Sequence, residues 1–377
     1  VTDPVEMTRA LIRCPSVSPG DGGALALLQA WLEPEGFECV RCDREGVPNL
    51  HARAGDQGPV LGFAGHVDVV PAGDPGLWSE APFGAVLREG NIWGRGAVDM
   101  KSGVAAFVAA AIRCRRRRAS GSVALLVTGD EEGVARHGTA AILDWMQEAG
   151  QKLDMCVVAE PTSRARVGDR VKIGRRGSVS FRISAVGKAG HSAYPVSARN
   201  PIPPLARAVS RLDDIELDRG GANFQPSTLA ATGFDVGNAA PNVIPPTAQA
   251  LVNIRFGDLQ SLDGLAEKIR SVLDECRVEG VEFELETVSA SEPFLCRSGA
   301  FVDDLCEAIA AETGTPPERS TAGGTSDARF IKDICPVIEV GLVGRHMHAI
   351  DEHVPTADVE ALTRIFERII DRTLPGP

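Results

Sequence analysis

Seven side chains of this sequence have the types and local settings that metal-assisted hydrolysis requires: His66, Asp68, Asp99, Glu131, Glu132, Glu160 and His348. His66 and Asp68 stand two apart, just after the apolar run 60–63. On an extended backbone such residues share a face. One imidazole nitrogen can then bind a metal while a neighbouring carboxylate anchors the other ring N–H. The others have ordinary readings when taken singly. Asp99 suits the cap of a helix starting near Lys101. Glu131 and Glu132 suit a solvated turn, Glu160 a loop before Pro161, and His348 a polar loop with two further histidines. Their conjunction is the stronger signal, because the acidic and imidazole groups follow strand-like runs. A zinc pair roughly 3.5–4 Å apart needs a bridging carboxylate, with oxygen and nitrogen ligands on both sides. The pair lowers the pKa of a bridging water, which still requires a base that is not a ligand. Glu131 and Glu132 point different ways on extended backbone and can supply a ligand and a base. Spacing alone does not assign which is which.

These residues must be positioned by the elements around them. Periodicity predicts helices over 4–13, 24–35, 101–114 and 138–149, and strands near 37–42, 49–53, 59–65, 123–128 and 155–159. The alternation is that of an α/β layer fold, and acids at strand ends predict one cleft along a sheet edge. From about residue 178 the rhythm changes. Strands over 178–186, 227–236, 248–256 and 281–288, with helices over 203–212 and 262–276, spell βαββαβ, the ferredoxin-like arrangement. This reads as a second domain, 178–290, inserted into a first domain of 1–177 and 291–377. The first domain resumes with helix 298–313, strand 335–341, a His-rich loop and helix 356–373.

At 377 residues the chain exceeds what one core usually serves. A formal charge of −12 argues against a nucleic-acid or acidic-membrane surface. Apolar runs stop short of the roughly 18 residues of a spanning helix, and the N-terminus has no signal-peptide pattern. Nine scattered cysteines suit a reducing cytoplasm. Cys39 and Cys42, three apart on a strand, face opposite sides and read as unrelated thiols. The basic run of Arg113 and Arg115 to Arg118 falls where a helix should end and complements its dipole.

Several stretches carry a resemblance. They are Gly65-His66-Val67-Asp68-Val69-Val70, Gly94-Arg95-Gly96-Ala97-Val98-Asp99-Met100-Lys101, Asp130-Glu131-Glu132 and Glu160-Pro161-Thr162. Further on come Gly174-Arg175-Arg176-Gly177-Ser178, Gly190-His191-Ser192-Ala193-Tyr194-Pro195, Asn242-Val243-Ile244-Pro245 and Gly323-Gly324-Thr325-Ser326-Asp327-Ala328-Arg329-Phe330. With them, nearly the whole chain resembles the dinuclear-zinc aminoacylase/carboxypeptidase family. The Arg-Arg-Gly-Ser and Gly-Gly-Thr-Ser-Asp runs point to its desuccinylase branch.

The resemblance implies a zinc-peptidase-like catalytic domain, a mixed sheet between helices, carrying an inserted ferredoxin-like dimerisation lid. It implies two zinc ions, with cobalt or manganese able to replace either. His66 and Glu160 would hold one ion, Glu132 and His348 the other, with Asp99 bridging. Asp68 would orient His66, Glu131 would be the general base, and the peptide after Asp99 would be cis. His191 and Asn242 would reach the active site of the partner in a homodimer, His191 stabilising an oxyanion. The implied substrate is N-succinyl-LL-2,6-diaminopimelate. Its carboxylates would meet Arg175 and Arg255, with Tyr194, Gly324, Thr325 and Ser326 as further contacts. One departure is Arg345, near the position where some desuccinylases carry Asn. An acetylornithine deacetylase or another N-acyl amino acid amidohydrolase is the neighbouring alternative. A non-catalytic zinc-stabilised binding protein is more remote, since the chain retains Glu131.

Overall fold

The computed structural model describes residues 2–117, 121–296 and 298–374, so Arg118 of the basic run lies outside the described residues. The chain divides into two compact units. One comprises Val1–Ile173, Cys296–Ser320 and Ser326–Pro377; the other comprises Gly174–Leu295 and Thr321–Thr325. The main crossings thus fall at 173/174 and 295/296, against 177/178 and 290/291 in the sequence reading.

The first unit is built on an eight-stranded mixed sheet. Its order is Glu38–Arg41, Asn49–Ala54, Ser122–Thr128, Val60–His66, Met155–Val158, Val337–Glu339, Arg170–Lys172 and Glu318–Ser320. Val60–His66 and Ser122–Thr128 are buried at every position, which explains why both read as continuous apolar runs rather than alternating ones. They run parallel with His66 opposite Thr128; Met155–Val158 and then Val337–Glu339 extend the parallel set. Four strands therefore deliver their C-terminal ends to one edge.

The Ala-rich helix Lys101–Arg117 is buried along most of its length and packs with Pro4–Ile12 and Thr356–Thr373. Its basic end is tied down locally: Arg113 and Arg117 reach Glu367 at 2.9 and 3.1 Å, and Arg116 pairs with Glu35. The Asp99–Met100 peptide is cis. Val86–Arg88, Asn91–Trp93 and His353–Pro355, three strands too short for a periodic signal, form a small sheet of their own.

The second unit follows βαββαβ: Gly177–Val186, Ile202–Asp213, Thr228–Asp235, Thr247–Phe256, Leu262–Glu275 and Glu282–Ser291. Its sheet is antiparallel throughout, ordered Thr228–Asp235, Thr247–Phe256, Gly177–Val186, Glu282–Ser291. Val179, Phe181 and Ile183 alternate with half-buried neighbours and share a core with Leu205, Leu212, Leu265, Ile269 and Leu273. Full burial of such side chains stabilises by about 1.5–3 kcal/mol each. The nine cysteines are free thiols.

Candidate metal centre

Each parallel strand ends on, or leads toward, candidate site residues. Val60–His66 stops at His66, Ser122–Thr128 runs into Glu131 and Glu132, and Met155–Val158 into Glu160. Val337–Glu339 leads to the loop bearing His348. Gly341 lets that last exit pass closely, because a Cβ there would lie 2.1 Å from the Glu160 carbonyl oxygen. His66 Nε2 lies 3.3 Å from Asp99 Oδ1 and 3.6 Å from Glu160 Oε1. His348 Nε2 lies 3.3 Å from Asp99 Oδ2 and 2.8 Å from Glu132 Oε1. The ligand atoms of His66, Asp99 and Glu160 all fall within 4.8 Å of one another, as do those of Asp99, Glu132 and His348. Asp99 thus belongs to both triads, with one oxygen facing each imidazole.

A divalent cation in each triad fits these groups. Among the described residues, His66 Nε2 and Asp99 Oδ1 are buried without a hydrogen-bond partner, a costly state for polar atoms. Mixed imidazole and carboxylate donors are the set zinc accepts.

The electrostatics express the same demand for positive charge. Burial lowers the pKa of His66, but Asp99, Asp68, Glu131 and Glu160 outweigh it and raise it well above 6.5. Hydrogen bonds to Asp99 and Glu132 lift His348 to about 10. Burial works against ionised Asp99, yet the imidazoles of His348 and His66 beside it hold its carboxyl below the usual range. Glu131 is pushed up to about 8, chiefly by burial, with His66 opposing and Asp327, Asp99 and Glu132 adding. Glu131 stands outside both triads, whereas Glu132 is in one.

Asp68 acts differently from the expectation that its carboxylate anchors the His66 ring. The main-chain carbonyl of Asp68 meets His66 Nδ1 at 2.9 Å, while its carboxylate is 3.6 Å away. That carboxylate instead accepts the Glu131 and Glu132 amides at 3.1 Å each, together with the Ser18 hydroxyl. It shapes the turn that presents the two glutamates. Two more buried acids attend the centre. Asp327 accepts from Thr139 Oγ1 at 2.7 Å. Glu352, fully buried, accepts from Arg95 and from the amides of Gly96, Val98 and Asp99. Neither was a candidate site residue on sequence grounds; an acid in a Gly-rich stretch or beside another acid carries no distinguishing local pattern.

The expected substrate contacts fall mostly in the second unit. Gly190–His191 pairs with Val243–Ile244, the Ser192 amide donates to the Asn242 carbonyl at 2.9 Å, and the Tyr194 ring lies 5.8 Å from that of His191. His191, Tyr194 and Asn242 are therefore neighbours, and all are exposed. Buried Arg175 donates to the Gly324 carbonyl at 2.7 Å, beside half-exposed Thr325. Burial lowers the pKa of Arg255, and the nearby charges of Arg176 and Arg175 lower it further, so three guanidinium groups share one region. Ser326 does not match its expected role. It is 1% exposed, and its hydroxyl donates to buried Glu339 Oε1 at 2.6 Å.

Residues 62–372 match the model of peptidase family M20/M25/M40. The chain is 51% identical over 376 residues to a succinyl-diaminopimelate desuccinylase of Paracoccus denitrificans, covering 99% of this chain and 98% of that one. Its fold is similar to an M20 family metallo-carboxypeptidase of Sulfolobus solfataricus, with TM-score 0.79, 19% identity, and coverage of 98% and 99%. A dinuclear metal-binding M20 peptidase from Bacillus subtilis gives TM-score 0.75 at 17% identity, covering 97% and 96%. Given a family match spanning most of its length and a relative half identical to it throughout, the chain belongs to peptidase family M20/M25/M40.

Proposed function

We propose that this chain is a metal-dependent amide hydrolase that removes succinate from N-succinyl-LL-2,6-diaminopimelate, in the cytoplasm and as a homodimer. The observation that carries the reading is Asp99, whose two carboxylate oxygens face two imidazoles at equal distance and join two ligand triads. His66, Asp99 and Glu160 would hold one zinc, and Asp99, Glu132 and His348 the other. The chemistry such cations supply is polarisation of the amide carbonyl and acidification of the attacking water.

Glu131 accepts the proton that leaves this water as its oxygen bonds to the amide carbon. It returns the proton to the nitrogen as the C–N bond breaks, releasing succinate and the free amine. Burial favours the neutral form of the Glu131 carboxyl, which suits it to hold the proton between the two transfers. Arg175 and Arg255 would receive substrate carboxylates, with Tyr194, the Gly324 backbone and Thr325 shaping the acyl pocket. His191, with Asn242, would reach the partner's site and stabilise the oxyanion. Among the described residues no helix is long and apolar enough to cross a membrane.

The experiment is hydrolysis of N-succinyl-LL-diaminopimelate and acetylornithine, side by side, after chelation and after zinc is restored. The expected result is zinc-dependent turnover with clear preference for the succinyl substrate. Preference for acetylornithine would reassign the acyl group. Zinc retained without turnover of any N-acyl amino acid would leave only a binding protein.

A further inference from the structure

The His66 side of the centre is fixed by strand ends, but the His348 side is not. His348 has φ +63° and Asp351 φ +60°, and its loop contains only a short 3-10 turn. A ligand on such a loop needs another anchor. The buried pair Arg95–Glu352 supplies one. Glu352 Oε2 accepts from Arg95 Nη1 at 2.8 Å and from the Gly96 amide at 3.0 Å. Its Oε1 accepts from the amides of Val98 at 2.8 Å and Asp99 at 3.2 Å. Arg95 Nη1 also reaches the Ala349 carbonyl at 3.1 Å, and its Nη2 the His348 carbonyl at 3.4 Å.

One carboxylate thus gathers the turn carrying the bridging aspartate, while its counter-ion holds the carbonyl of the loop ligand. Gly96, at φ +81°, lets this turn aim its amide inward where a side chain would strain it. The Gly94 amide donating to the Glu352 carbonyl at 2.9 Å adds a main-chain rung between the two segments.

We propose that Glu352, working with Arg95, is a positioning residue that staples the His348 loop to the Asp99 turn and sets the affinity of the second metal position. This rests on the two-metal reading above. The carboxylate has no contact with the reacting atoms in this role; it acts through Asp99 and His348. Outer partners of metal ligands typically change metal affinity about 10- to 100-fold when altered. Glu352→Gln keeps the shape but replaces an oxygen facing two donors with an NH2, so one pair of bonds is lost.

The test is titration of the chelated full chain with zinc chloride, followed by kinetics at low and high zinc. The wild type should take up two equivalents. In Glu352→Gln the first should bind as before and the second about 10- to 100-fold more weakly. At low zinc kcat should fall with little change in KM, and excess zinc should restore it. The metal-free variant should unfold at a lower temperature than wild type, because buried Arg95 loses its counter-ion, and this loss is read separately from the zinc titration. Wild-type affinity for both equivalents in the variant overturns the proposal; so does parallel weakening of both, or a wild type that takes up only one. Should Glu352→Gln yield no folded protein, Arg95→Lys carries the test. A weaker second equivalent there supports the staple, and unchanged uptake overturns it. Because the titration needs no turnover, two-zinc binding without hydrolysis would sink the enzymatic reading while leaving the staple standing.

Discussion

The first unit gathers carboxylates and the second gathers guanidinium groups, each in a partly buried setting. Around Asp99, neighbouring acids raise the pKa of two imidazoles, and burial, with those acids adding, raises that of Glu131. Around Arg255, burial and the like charges of Arg176 and Arg175 lower an arginine. The first region is dominated by carboxylates set against two imidazoles, the second by guanidinium groups of like charge. The supports differ. The acidic ligands sit on strand ends and on a turn pinned by buried carboxylates, so their atoms are set by the main chain. Arg255 stands on the strand Thr247–Phe256, and its Nη1 has no hydrogen-bond partner among the described residues. A chain of net charge −12 thus keeps a local cluster of cationic side chains within its second unit.

The sharpest way to break this division is at Glu131. Glu131→Gln should lower kcat by about 10²–10⁴-fold while both zinc equivalents and KM stay near wild type. Metal lost along with activity would mean that base and ligand roles are not separable. Next is His191→Ala, which should cost about 10²–10³-fold in kcat without touching metal content, as loss of an oxyanion donor does. Mixing Glu131→Gln with His191→Ala chains should restore turnover, because one site per mixed dimer then has both groups. No recovery on mixing would argue that His191 serves its own chain.

Arg255→Met should act on the other side of the division. KM for the succinyl substrate should rise about 10- to 100-fold, the worth of a charge-assisted bond, with zinc uptake unchanged. A matching loss for an N-acetyl substrate would show that Arg255 supports the fold of its unit and is not an anion receptor.

Much of the first region was legible in the sequence because the relevant signals are local. Apolar runs mark the buried strands, and His66 at one strand end and Glu160 just past another stand out as candidate ligands. The βαββαβ rhythm of the second unit was equally plain, since each element is long enough to show its period. What escaped depends on distance along the chain. Glu352 meets Arg95 and Asp99 across more than 250 residues, and Ser326 meets Glu339 only through the fold. The His66 ring rests on a main-chain carbonyl of Asp68, and no residue type predicts a main-chain acceptor. Three-residue strands such as His353–Pro355 are shorter than any period.

A last, smaller effect sharpens the comparison through a buried group outside both regions. His51 lies on Asn49–Ala54, 2% exposed, with its ring 4.8 Å from that of Trp145. Burial pushes its pKa down to about 4, with Arg53 adding to the shift. His66 is buried as deeply but surrounded by acids, and moves the opposite way. Depth alone therefore does not decide the charge of a buried imidazole; its neighbours do. The sign of the consequence follows. The unfolded chain binds a proton at His51 near pH 6.5 and the folded chain only near 4, so between those values the unfolded state holds more protons. Stability from this group is complete above about pH 6.5 and is lost as pH falls to about 4, amounting to about 3 kcal/mol at most. His51→Phe keeps the ring against Trp145 and removes the titration. Urea unfolding of both proteins at pH 7 and pH 4.5 should show a smaller acid loss in the variant, the site carboxylates cancelling in the difference. Equal losses would mean that His51 already accepts a proton in the folded state, and that its surroundings resemble those of His66 after all.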